Sequence, residues 1–191
     1  MIIGISGKAG SGKDEVAKML RYCLVKPRVF QYFWIYNLFG YFGKNWKIYA
    51  FADKMKQAMS LISGIKLECF YDRALKNRPE FRRAMQSFGD WTQQKFGKPV
   101  WVNALFYEMD PHENAIISDV RFLHEIEKIK QHRNILLNVK SKIDSSKDIH
   151  ASENELNNFE FDKTINNYGD LKDLFYQIKD LRKTLKEEYN I

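Results

Sequence analysis

A chain of 191 residues, 45% hydrophobic and 29% charged, can bury one well-packed core, and its length does not call for a second domain. Its two cysteines, Cys23 and Cys69, are too few and too far apart for a disulfide framework or a thiolate metal site, so both are expected as reduced thiols. The net charge of +7 favours anionic partners but leaves nucleotides and nucleic acids equally open.

Met1 to Leu20 reads MIIGISGKAGSGKDEVAKML, a short apolar strand, a glycine-rich turn and the start of a helix. Gly7, Gly12 and Lys13 match the spacing G-x-x-x-x-G-K, with Lys8, Ala9, Gly10 and Ser11 between them. Glycine lets the backbone curl so that successive N–H groups converge, and the following helix adds the positive end of its dipole. Lys13 supplies a full charge for the β- and γ-phosphates, so residues 7–14 are the candidate ATP-binding loop. Where the motif has a Mg²⁺-ligating Ser or Thr, this chain has Asp14 and then Glu15. A carboxylate is a hard-cation ligand too, and Asp14 is a candidate for the metal.

Val16, Ala17, Leu20, Cys23 and Leu24 give the first helix an apolar face, and Pro27 ends it. The run Val29 to Phe42, VFQYFWIYNLFGYF, is dense in aromatics but shorter than a membrane-spanning helix, and Gln31, Asn37 and Gly40 interrupt it. It reads as an insertion at about 28–45 that packs on the domain edge. A homodimer contact or a flap over a bound base is left open. No basic-then-apolar leader opens the sequence, so the expected location is cytoplasmic, without a membrane partner.

Trp46 to Ala52 alternates and predicts a second strand, ending at Asp53 on the ligand edge of an open α/β sheet or at a helix N-cap. Met55, Ala58, Met59 and Ile62 predict a helix that stops at Gly64. Residues 65–97 are polar, basic and helical in pattern, with an apolar seam of Phe81, Met85, Phe88 and Trp91. Arg82 and Arg83 are candidates to clamp a second phosphate, Gln86 and Trp101 to contact its base, and Asp53 with Lys54 to orient it. A further helix runs through Met109, so about 54–110 is a helical acceptor-binding region.

Asn114 to Val120 is a continuous apolar run ending in Ser118 and Asp119, as a buried parallel strand reads, and Arg121 follows. Asp119 is a second candidate for the metal, and Arg121 and Lys13 are candidate catalytic cations. Ile126 and Ile129 mark the next helix, closed by Arg133 and Asn134. Ile135 to Val139 is a strand, Lys140 to Asn157 a polar connection in which the lone His150 has no nucleophile to pair with, and Phe161 to Ile165 a last strand. Asn166 to Gly169 reads as a turn, and Leu174, Phe175, Ile178 and Leu181 as the core face of a terminal helix. Alternating strands and helices predict a single α/β domain over 1–191, a three-layer sandwich around a parallel sheet of about five strands.

In their order along the chain, these segments resemble the phage deoxynucleoside monophosphate kinases, a branch of the nucleoside monophosphate kinase-like P-loop group. The resemblance is carried by GKAGSGKD, by FADKMKQAM, by RRAMQSFGDW followed by VWVNALF, by SDVRFLHEIEKI, and by HASENEL followed by FDKTINNYGDLKDL. In that family Asp follows the loop lysine, so Asp14 fits its pattern. Glu15, Leu123, His124 and the length of the aromatic insertion depart from it. The resemblance implies transfer of the ATP γ-phosphoryl group to a deoxynucleoside monophosphate with Mg²⁺, in the host cytoplasm. It places Asn166 at the adenine, Asp14 and Asp119 at the metal, and a closing lid in the basic region after Arg121. Two other readings share parts of this pattern: a P-loop kinase for another phosphorylated metabolite, such as a coenzyme A precursor or phosphomevalonate, and a non-enzymatic nucleic-acid-binding protein.

Overall fold

The computed structural model describes residues 1–25, 45–76, 78–142 and 155–190. The aromatic run Val29 to Phe42 and His150 lie outside the described residues. In chain order the elements are β1 (Ile2–Ser6), α1 (Lys13–Val25), β2 (Trp46–Tyr49), α2 (Phe51–Ser63), a 3₁₀ turn (Leu67–Phe70) and α3 (Arg73–Lys76). There follow α4 (Pro79–Phe96), α5 (Val100–Glu108), β3 (Asn114–Val120), α6 (Leu123–Lys130), β4 (Asn134–Ser141), β5 (Lys163–Asn167) and α7 (Leu171–Tyr189). The chain forms two compact units, the first comprising Met1–Tyr49 with Pro111–Ile191 and the second Ala50–Asp110.

The first unit is an α/β sandwich on a five-stranded sheet in the order β2-β3-β1-β4-β5, with every pairing parallel. β1 is central because IIGIS can be buried on both faces, and all five residues are. One face of the sheet, with Ile3, Ile5, Ile116, Ile135, Leu137, Val139 and Ile165, packs on α1 and α7. Those helices contribute Val16, Ala17, Leu20 and Cys23 from one and Leu174, Phe175, Ile178 and Leu185 from the other. Truncating the fully buried Phe175 to Ala would cost about 3–5 kcal/mol, because a packed interior only partly collapses into the space left. On the opposite face Leu136, Val120 and Ile129 of α6 close in around Gly4. The fold class read from the sequence is the one observed.

Several boundaries move: α6 ends at Lys130, so Asn134 opens β4 and does not close the helix, and β4 runs on through Lys140 to Ser141. β2 ends at Tyr49, and Phe51 to Asp53 form the first turn of α2, not the end of the strand. Ala50 is the extended residue before that helix, and its carbonyl accepts the Asp53 N–H at 3.1 Å. With alanine at the cap, no Ser, Thr or Asp announces the helix, so alternation in WKIYAFA continues past the true end of the strand. Asp53 therefore stands neither at a strand end nor at the N-cap. β5 begins at Lys163 and takes in Asn166 and Asn167. Before it, Asp162 bonds Leu136 through both backbone and side chain, its N–H reaching the Leu136 carbonyl at 3.0 Å and its Oδ2 accepting the Leu136 N–H at 2.7 Å. That pairing sets the ladder two residues later than the apolar pattern indicates.

The second unit is helical. α2 stops where Gly64 takes a left-handed φ of 70° and donates its N–H to Ser60. α4 starts at Pro79, whose missing N–H costs nothing in a first turn. The predicted apolar seam is only half-buried: Phe81 meets Phe70 at 5.3 Å between ring centroids, and Phe88 meets Trp101 at 6.0 Å. Trp91 stays 50% exposed. Among the described residues, no helix is long and apolar enough to cross a membrane.

Candidate active site

The glycine-rich loop joins the carboxyl end of β1 to α1. Gly7, Gly10 and Gly12 have φ of 149°, 76° and 92°, conformations that L side chains rarely adopt. At Gly7 a Cβ would also stand 2.5 Å from the Val139 carbonyl oxygen and 2.7 Å from Ser11 Oγ, so only glycine fits between the loop and β4. Ser11 is buried, and its hydroxyl has no hydrogen-bond partner among the described residues. A buried unpaired hydroxyl is costly unless a ligand supplies its partner.

Lys13 opens α1 and is itself buried. Its ammonium curls back onto the loop, donating to the carbonyls of Gly7 at 2.5 Å and Lys8 at 2.8 Å. The turn is held from the far end of the chain as well: Asn167 donates its side-chain amide to the Ser11 carbonyl at 3.0 Å. Gly12 leaves space for that contact, since a Cβ there would lie 2.6 Å from Asn167 Nδ2.

Asp14 follows in the first turn of α1, where Ser118 Oγ donates to its Oδ1 at 3.2 Å. The register between β1 and β3 shifts here, from Gly4 opposite Ile117 to Ser6 opposite Val120, leaving one extra residue at Ser118–Asp119. Such a bulge re-aims side chains at the end of a strand. Asp14 is thus brought to the strand end that carries Asp119. Among the described residues no group of three or more His, Cys, Asp or Glu could hold a metal alone. One or two carboxylates fit Mg²⁺, which takes its remaining ligands from substrate phosphates and water.

Beyond Asp119 the chain turns through Arg121 into α6. Glu125, buried at 5% exposure, accepts the Arg121 N–H at 2.6 Å and the Phe122 N–H at 3.0 Å, both on Oε2. Burial, and then the neighbouring Asp119 charge, push its carboxyl up to about 8 against the opposing pull of those N–H groups and the Arg121 charge. Leu123, the next residue, donates its N–H to Glu155 at 2.8 Å.

A cleft of about 400 Å³ lies along this edge, lined by Gly7, Lys8 and Ser11 of the loop, Arg121, Asn138 and Lys140 of β4, and Tyr168 after β5. Lys142, Leu156, Asn157 and Phe161 also line it, and among the described residues no carboxylate does. Its cations suit phosphates, and its aromatic wall suits a flat base. Asn166 is exposed, and the contact recorded for it is through its carbonyl, which accepts from Gln177 at 3.1 Å. Its neighbour Asn167, which the sequence reading passed over, is the residue on the loop. Ser118 and Tyr168 carry no site signal in the sequence, whereas Glu125 is the glutamate of the SDVRFLHEIEKI segment, four residues beyond Arg121.

The acceptor candidates all belong to the second unit. Asp53 accepts from Lys56 at 2.7 Å and is hydrogen-bonded by the Tyr71 hydroxyl. Burial first, then the Asp53 charge, raise the Tyr71 phenol above its usual range. Lys54 is buried and pairs with Glu108, with Gln57 at 3.2 Å, which ties α2 to α5. Arg82 and Arg83 are exposed on α4, and Arg83 lies 3.9 Å from Glu80. Gln86 is half-buried one turn on. Trp101 stacks obliquely on Phe88, and its buried indole N–H has no partner among the described residues.

Comparison with known proteins adds a family. No curated protein sequence matches the chain significantly. The family model described as deoxynucleotide monophosphate kinase matches residues 43–178, which take in the whole second unit and the strands β3, β4 and β5. The match begins beyond the glycine-rich loop, so the loop's geometry is an independent observation. With well over half of its length matched, the chain belongs to the deoxynucleotide monophosphate kinase family.

Proposed function

We propose that this kinase transfers the γ-phosphoryl group of ATP to the phosphate of a deoxynucleoside monophosphate, giving the diphosphate and ADP. The observation that carries the reading is the loop itself: positive-φ glycines, an unpaired buried Ser11 hydroxyl and the Lys13 ammonium, beside a cleft lined by cations and aromatic rings.

An acceptor phosphate is already ionised at neutral pH, so the chain needs no strong base. It needs positioning and neutralisation of charge. The loop N–H groups, Ser11 and Lys13 hold the β- and γ-phosphates, and the cleft takes the rest of the donor. Asp14 and Asp119 would hold Mg²⁺, which would supply positive charge against the negative charge of the phosphates. Arg121 neutralises the transferring group. Arg82 and Arg83 bind the acceptor phosphate, Gln86 or Trp101 contacts its base, and Asp53 and Lys54 help orient it. Lys54 does so while paired with Glu108 of α5.

The test is ADP release from ATP and Mg²⁺ with each deoxynucleoside monophosphate in turn, run beside Lys13→Ala. Monophosphate-dependent release is expected, reduced about 100- to 1,000-fold in the variant with little change in melting temperature. ADP release that no nucleoside monophosphate stimulates would overturn the reading.

A further inference from the structure

Glu125 has no role in the proposed reaction as described so far, yet it is among the few buried charged side chains. A glutamate at the third helical position is ordinarily a capping residue at the surface that takes the N–H of the residue before the helix. Glu125 does this for Phe122 at 3.0 Å, and then reaches one residue further, to the Arg121 N–H at 2.6 Å. That second bond lies outside the helix. It fixes the peptide of Arg121, a residue that lines the cleft.

Burying a carboxylate at 5% exposure is unfavourable, and a helix cap alone does not require it. Around it, the bulge in β3 leaves a turn whose backbone is not held by strand pairing beyond Val120. The turn's three successive N–H groups are all taken by side chains, two by Glu125 and one by Glu155. Glu155 is exposed, whereas Glu125 is locked in the interior beside Ile126 and Ile129. Of the two clamps, the buried one sets the position of Arg121.

We infer that Glu125 is a positioning residue for Arg121: it anchors the backbone of residues 121–122 to the core and so presents the guanidinium to the cleft without itself touching substrate. This rests on the reading of Arg121 as a contact to the transferring phosphate. Both N–H bonds fall on the same oxygen, so what the site needs is one acceptor atom at that place. Glutamine supplies it; alanine supplies none, and aspartate is one methylene short.

Two readouts separate the anchor from the reaction. Amide exchange at Arg121 and Phe122 should be slow in the native chain, faster in Glu125→Ala, and slow again in Glu125→Gln. In turnover, Glu125→Ala should lower kcat about 10- to 100-fold with little change in KM for either substrate, Glu125→Gln should recover most of it, and Glu125→Ala should add nothing to Arg121→Ala. If Glu125→Ala does not fold, Glu125→Asp carries the same expectation as alanine. Unchanged amide exchange, additive effects in the double variant, or a glutamine variant as impaired as alanine would each overturn the inference. Normal turnover in Arg121→Ala alone would instead defeat the reading of Arg121, while the exchange data would still decide whether Glu125 holds the turn.

Discussion

Asn167 donates its side-chain amide to the carbonyl of Ser11, across 156 residues of sequence, and so fastens the end of β5 to the glycine-rich loop. The bond takes one of the loop's carbonyls and so holds the turn whose Ser11 N–H also closes on the Lys8 carbonyl at 3.1 Å. Replacing Asn167 by Ala should raise KM for ATP by about fivefold to tenfold, the order of one hydrogen bond of about 1 kcal/mol, and leave KM for the monophosphate unchanged. Gly12→Ala should be worse, because it adds backbone strain at φ of 92° to a collision with the same amide. Initial rates at varied ATP check both.

Arg82 and Arg83 are exposed, so removing either guanidinium should cost less than about 0.5 kcal/mol of stability. Arg82→Ala and Arg83→Ala should nonetheless raise KM for the monophosphate, by about tenfold for the arginine that binds its phosphate directly. The Glu80 contact to Arg83, 3.9 Å long between two well-exposed groups, is too weak to hold it back. Unchanged KM for the monophosphate in both variants would place the acceptor clamp elsewhere in the second unit.

The pH dependence of stability follows from Glu125, whose carboxyl is raised from 4.5 to about 8 by burial and by Asp119. The native state then holds a proton that the unfolded chain has released. The stability this contributes is fully present below about pH 4.5 and is lost as pH rises to about 8, at up to about 1.4 kcal/mol per pH unit between. Thermal melts of the metal-free protein between pH 5 and 8.5 should show the wild type losing ground to Glu125→Gln as pH rises. Parallel curves for the two proteins would contradict it.

Cys23 is buried between α1 and α7, and burial pushes its thiol up to about 12 despite the nearby Arg182 and Lys179. Cys69 is only half-buried. A thiol reagent at neutral pH should therefore label one cysteine in the folded protein, Cys69, and reach Cys23 only on unfolding, because the thiolate is the reacting form. Counting labels by mass before and after denaturant checks this.

The glycine-rich loop, the strand from Asn114 to Val120 and the core face of α7 were legible in the sequence, because each is a local pattern: fixed spacing, a continuous apolar run, a 3.6-residue period. From these the parallel α/β class follows, while the family was suggested by the resemblance of the motif segments in their order along the chain. What the residues alone did not show are relationships between distant segments. Asn166 and Asn167 are equivalent as letters, and only strand register decides that Asn167 meets Ser11. Nothing in the spacing of Glu125 shows that this α6 residue is buried and takes the N–H groups of both Arg121 and Phe122. Lys54 reads as a free cation until α5 brings Glu108 to it. Local propensity sets which elements form, but which polar side chains find partners depends on how those elements pack, and that information is spread over the whole chain.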